Sequence, residues 1–136
     1  MENIQATYSG KKILIADDDY DLLLQMKMNL EGMGFEVFEV ETQREAEQKI
    51  EEFKPDLAIF DLMMENQDSG FILSYKIKKK YPEVPVILAT GVTHDTGLKF
   101  DAATDEMRSW LHADVVLNKE IRYEQLKREI DRLLKG

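Results

Sequence analysis

Apolar residues gather along the chain in five short runs: KILIA at 12–16, FEVFEV at 35–40, LAIF at 57–60, VILA at 86–89 and VVL at 115–117. Four of the five read as continuously apolar, the pattern of strands buried on both faces of a parallel sheet. Helical spacing fills the intervals. Leu23, Met26, Leu30 and Met33 mark one face of a first helix. Thr42 and Glu45 predict a capping box, with Ala46, Ile50 and Phe53 as the buried stripe behind it. Leu73 and Ile77 predict a third helix that Pro82 closes. Ala103, Met107, Trp110 and Leu111 predict a fourth, and Tyr123, Leu126, Ile130, Leu133 and Leu134 a fifth.

Strands separated by helices run parallel through right-handed crossovers. Both sheet faces then need cover, so the expected fold is α/β, a doubly wound five-stranded parallel sheet with five helices. Such sheets bind ligands beyond the carboxyl ends of their strands. The residues that follow the apolar runs are therefore the ones to weigh. They are Asp17, Asp18 and Asp19 after the first run, Asp61 after the third, Thr90 after the fourth and Lys119 after the fifth.

That set has a chemical sense. Clustered carboxylates repel one another unless a cation neutralises them. Oxygen ligands alone point to Mg²⁺, which takes few carboxylates and keeps room for water and phosphate. Asp61 is then a candidate phosphoryl acceptor, since carboxylates form aspartyl phosphates. Lys119 would pair with a phosphoryl oxygen and Thr90 would donate its hydroxyl. Each residue alone has a plainer role: an acidic first turn for the DDD run, with Asp19 as helix cap, a turn residue at Asp61 and a solvated surface lysine. Their joint placement at four strand ends is what carries weight.

Composition narrows the class. The chain has 136 residues, room for one domain with a substantial core. Its net charge of −9 opposes direct binding to nucleic acid or an anionic membrane. No cysteine is present, which excludes disulfides and thiolate chemistry. The apolar runs are too short to span a membrane, and MENIQATYSG lacks the layout of a signal peptide. The expectation is a cytoplasmic domain over 11–136 behind a flexible lead-in of residues 1–10. His94 and His112 form no zinc pattern, and the KIKKKY run at 76–81 suits a helix C-terminus.

Four segments, KKILIADDDYDLL, PDLAIFDLMMENQDSGF, VPVILATG and HADVVLNK, together resemble the receiver domain of bacterial two-component response regulators. The likeness spans residues 11 to about 134 and implies the flavodoxin-like strand order 2-1-3-4-5. It implies phosphorylation of Asp61, with Mg²⁺ held by Asp17 or Asp18, Asp61 and the backbone carbonyl of Met63. Thr90 would be the switch residue and Lys119 the conserved-type lysine. It also implies a sensor histidine kinase or histidine phosphotransfer protein as donor, a downstream protein target, and a homodimer or partner contact through the last helix.

Several positions depart from the family pattern. Glu65 stands where proline is usual, DSG replaces DG so that Gly70 comes one position late, and Glu120 replaces the proline after the lysine. Val116 replaces the switch aromatic, so readout is expected to move to the 92–110 segment. Met63 and Val92, both apolar, flank the expected phosphoryl position and cannot orient a hydrolytic water, which predicts a long-lived phosphoaspartate. The favoured reading is a stand-alone phosphoacceptor without an output domain. Two others stay open: a scaffold that has abandoned phosphorylation, and a hydrolase with Asp17 as nucleophile and Asp19 as acid.

Overall fold

A computed structural model of the chain describes residues 7–66, 68–91, 113–119 and 121–135. Five strands, β1 (Lys12–Ala16), β2 (Glu36–Val40), β3 (Leu57–Asp61), β4 (Val86–Thr90) and β5 (Val115–Asn118), form one sheet in the order β2-β1-β3-β4-β5. All pair in parallel. Among the described residues the helices are α1 (Tyr20–Gly32), α2 (Gln43–Glu52), α3 (Ser69–Lys80) and α4 (Tyr123–Lys135). The helical pattern through Ala103, Met107, Trp110 and Leu111 lies outside the described residues, as do Val92, His94, His112 and Glu120.

Side-chain alternation along the strands builds two cores, one on each sheet face. Ile13, Ile15, Leu57, Ile59, Ile87, Val115 and Leu117 pack with Leu23 and Leu30 of α1 and Leu126 and Ile130 of α4. Leu14, Ala16, Ala58, Phe60, Val86 and Leu88 pack with Ala46 and Ile50 of α2 and Leu73 and Ile77 of α3. The continuous apolar runs are thus explained: odd and even positions both meet helices. The run that was not continuous, FEVFEV, forms β2 at the sheet edge, where Glu36 is exposed.

Local signals set the helix ends. Thr42 caps α2, its hydroxyl accepting from the Glu45 amide at 3.1 Å, while the Glu45 carboxylate reaches back to the Glu41 amide at 3.0 Å. At the end of α1, Gly34 takes φ 106°, and the Phe35 and Gly34 amides close onto the Leu30 and Glu31 carbonyls. That is a glycine-terminated helix end, with Phe35 and Leu30 meeting in the core.

Within the described part of the lead-in, residues 7–10, Tyr8 joins the core. Tyr8 is 4% exposed, its ring stacks on Phe35 with centroids 4.9 Å apart, and its hydroxyl hydrogen-bonds Asp131 of α4. Apolar ring burial with a satisfied hydroxyl outweighs the freedom of a polar tail.

Candidate functional site

The carboxyl ends of β1, β3, β4 and β5 share one rim of the sheet, because parallel pairing aligns them. Asp61 is the last residue of β3, opposite Ala89 of β4, and it is 3% exposed. Asp17 follows β1 and is equally buried. Asp18 beside it is exposed. One carboxylate oxygen from each of Asp17, Asp18 and Asp61 lies within 4.8 Å of the others. Lys119, one residue beyond β5, reaches into this cluster. Its Nζ stands 3.1 Å from Asp17 Oδ2 and 3.0 Å from Asp61 Oδ2, and hydrogen-bonds Asp17 Oδ1 at 3.2 Å. Its backbone amide donates to the Thr90 carbonyl at 2.7 Å, which ties the ends of β4 and β5 together.

The electrostatics follow from burial. Desolvation first, and then the Asp17 charge, push the Asp61 carboxyl up to about 7, against the opposing pull of Lys119 and the Met63 amide. Burial pulls the Lys119 ammonium down, but Asp61 and Asp17 outweigh it and hold it above its ordinary value. One amine is shared between two buried acids, with a third acid at the mouth. Among the described residues Asp61 Oδ2 meets the Lys119 ammonium at 3.0 Å. Three clustered carboxylates balanced by a single amine leave negative charge on oxygen ligands, which fits a hard divalent cation, so the residues present suit Mg²⁺.

The neighbouring positions divide. The Met63 amide donates to Asp61 Oδ1 at 3.3 Å, which puts its peptide at the acids; its side chain is 39% exposed. Thr90 ends β4 with its side chain buried. Val116 is half-buried against the α2–α3 core. Val92 lies outside the described residues. Asp19 is the cap of α1, its carboxylate accepting from the Asp21 and Leu22 amides at 3.0 and 3.2 Å. An acid so engaged is poorly placed as a proton donor, which removes the main support for the hydrolase reading.

Two neighbours of the site were not legible as such in the sequence. Gly70 sits in the first turn of α3 against the end of β3, with a Cβ there falling 2.6 Å from the Leu62 Cα and 2.8 Å from the Asp61 carbonyl oxygen. The extra residue in DSG therefore does not cost the close approach. A cleft of about 590 Å³ runs from Asp17 and Lys119 between α1 and α4, past Leu22, Met26, Ile121 and Leu126.

The response regulator receiver domain model matches residues 13–131. The chain belongs to the response regulator receiver family. Among curated receivers, it is 35% identical to the regulatory protein VanR of Enterococcus faecium over 95 residues, covering 67% of this chain and 40% of that protein. It is 31% identical to the alkaline phosphatase synthesis transcriptional regulatory protein PhoP of Bacillus subtilis over 81 residues, covering 60% of this chain and 33% of that protein. The chain thus spans well under half the length of these two relatives. Among solved receivers, the CheY-like domain from Methanospirillum hungatei JF-1 matches with a TM-score of 0.76 and 30% identity, over 92% of this chain and 94% of that one. The response regulator TrrA from Thermotoga maritima, solved in complex with Mg²⁺-BeF, matches with a TM-score of 0.74 and 27% identity, over 91% and 99%. The receiver fold, with strand order 2-1-3-4-5, is therefore common to this chain and its relatives. No helix among the described residues is long and apolar enough to cross a membrane.

Proposed function

We propose that this receiver accepts a phosphoryl group on Asp61. The observation that carries the reading is the buried Asp61 carboxylate set among Asp17, Asp18 and Lys119, three acids with one amine between them. A carboxylate oxygen of Asp61 attacks phosphorus, a P–O bond forms, and the bond to the donor nitrogen or oxygen breaks with its electron pair leaving on the donor. Asp17, Asp18, Asp61 and the Met63 carbonyl would hold Mg²⁺, which when bound supplies charge neutralisation for the acids and the arriving phosphoryl oxygens. Lys119 stays as a second cation at the acceptor, and Thr90 supplies a hydroxyl at the neighbouring strand end.

The donor is a sensor histidine kinase or a histidine phosphotransfer protein, and output passes to a downstream protein. The complex with Mg²⁺-BeF formed by TrrA supports the same ligand class here. The net charge of −9 supports protein rather than nucleic acid as the direct target. Incubation with Mg²⁺ and acetyl phosphate, followed by mass mapping of the acyl phosphate, tests the proposal. Label on Asp61 supports it, whereas no label at all would favour the scaffold reading.

The exposed, apolar Met63 side chain offers no hydrogen bond to a hydrolytic water. Met63→Asn is therefore expected to shorten the phosphoaspartate lifetime several-fold, read as loss of label with time. A variant that keeps its phosphate as long as the parent would contradict this.

A further inference from the structure

Glu65 occupies the position where receivers usually carry proline, and its carboxylate has found a different partner. Both of its oxygens lie 2.9 Å from the backbone nitrogen of Gln43. Gln43 is the first residue of α2, and amides in a helix's first turn have no partner within the helix. A carboxylate there answers both the open donor and the helix dipole. Asn66 adds a second tie, its Nδ2 donating to Gln43 Oε1 at 3.2 Å. The segment that follows Asp61 is thus held at both ends. At the near end the Leu62 amide donates to the Ala89 carbonyl and the Gly70 amide to the Leu62 carbonyl, both at 2.8 Å. At the far end Glu65 and Asn66 fasten it to α2. Met63 lies between these anchors, with its amide on Asp61 Oδ1.

We infer that Glu65 is a positioning residue for the acceptor site: its carboxylate clamps the segment after β3 onto the N-terminus of α2 and so holds the Met63 peptide against Asp61. The inference rests on the phosphoacceptor reading, because it gives the Met63 peptide a place in the cation site. Glu65 itself touches neither Asp61 nor the expected cation. It takes over by hydrogen bonding the restraint on the loop that a proline ring would provide through its fixed φ.

Three variants separate position from charge. Glu65→Ala removes the acceptor. Glu65→Gln keeps an acceptor oxygen and removes the charge. Gln43→Pro removes the donor, at a helix position that tolerates proline. Thr42, at φ −131° and ψ 158°, already has the extended backbone that precedes one. Two readouts are taken without phosphorylation: the ¹⁵N backbone order parameter of Met63 in metal-free protein, and the Mg²⁺ dissociation constant by calorimetry. Glu65→Ala is expected to lower the Met63 order parameter from about 0.85 toward about 0.6. It should weaken Mg²⁺ by roughly three- to tenfold, at or below the lower end of what losing a direct partner of a metal ligand does. Glu65→Gln, which keeps an acceptor but loses the charge-assisted part of the bond, should lose less than Glu65→Ala on both. Gln43→Pro, which also removes the Oε1 that Asn66 meets, should fall at least as far as Glu65→Ala, and the double variant should add little to Gln43→Pro. Parent-like order and affinity in Glu65→Ala would overturn the inference, and so would a Glu65→Gln variant as weak as Glu65→Ala, which would make the effect one of charge. A parent protein that takes no phosphate on Asp61 would defeat the phosphoacceptor reading instead, leaving the order parameter to decide the clamp.

Discussion

Asp61→Asn is expected to take no phosphate from Mg²⁺ and acetyl phosphate, and to be more stable than the parent in metal-free solution above pH 7. Loss of labelling follows from removing the attacking carboxylate. The stability gain follows from the sign of the ionisation shift. The Asp61 carboxyl is raised from 3.8 to about 7 in the folded protein, by burial first and by Asp17 second. Between those values the folded state binds more protons at this site than the unfolded chain, so stability falls as pH rises from about 4 through about 7 and then levels off. A shift of that size corresponds to at most about 4 kcal/mol, and sharing of the charge with Asp17 and Lys119 reduces the expected gain to about 1–3 kcal/mol. Denaturant melts of both proteins at about pH 5 and about pH 8 measure it as a difference that grows with pH. Mg²⁺ should cancel or reverse the difference, stabilising the parent by about 2.7 kcal/mol at a hundredfold excess over its dissociation constant and the variant far less. Equal pH profiles for the two proteins would show that Asp61 carries no ionisation penalty.

Gly70→Ala is expected to produce the largest loss of stability from a single methyl group. The added Cβ would meet backbone on two sides, at 2.6 Å from the Leu62 Cα and 2.8 Å from the Asp61 carbonyl. Neither can rotate away as a flexible side chain would, so α3 must lift from β3 or the end of β3 must move. Alanine's better helix propensity, worth about 1 kcal/mol over glycine, opposes this and is too small to win. Overpacking of this kind costs about 1–3 kcal/mol and more where backbone must shift. Because the displaced atoms carry Asp61, labelling should slow as well. A variant with parent stability and parent labelling rate would mean that α3 approaches β3 less closely than described.

The strands were legible in the sequence because burial on both faces leaves little ambiguity: LAIF and VILA have no polar position to accommodate water, and both are fully buried. The acid rim was legible because parallel topology converts sequence order into spatial neighbourhood. Asp17, Asp61 and Lys119 meet there, although more than a hundred positions separate the first from the last. Features set by a single tertiary contact were not legible. Nothing local to Tyr8 marks it as a core residue, since its partners Phe35 and Asp131 lie far along the chain. Glu65 could be seen as a departure from the family pattern, but its carboxylate meets a backbone amide, and a backbone amide leaves no trace in residue identity. Gly70 read as displaced by one position, whereas its distance from Leu62 shows that α3 begins where the close approach still needs a glycine.

A crystal structure grown with Mg²⁺ and beryllofluoride tests the central claim most directly. Beryllium bonded to the Asp61 carboxylate, Mg²⁺ contacted by Asp17, Asp18 and Asp61, and Lys119 Nζ facing a fluoride is the result expected. A bare Asp61 with the metal held elsewhere, or Lys119 turned away from the fluorides, would contradict it.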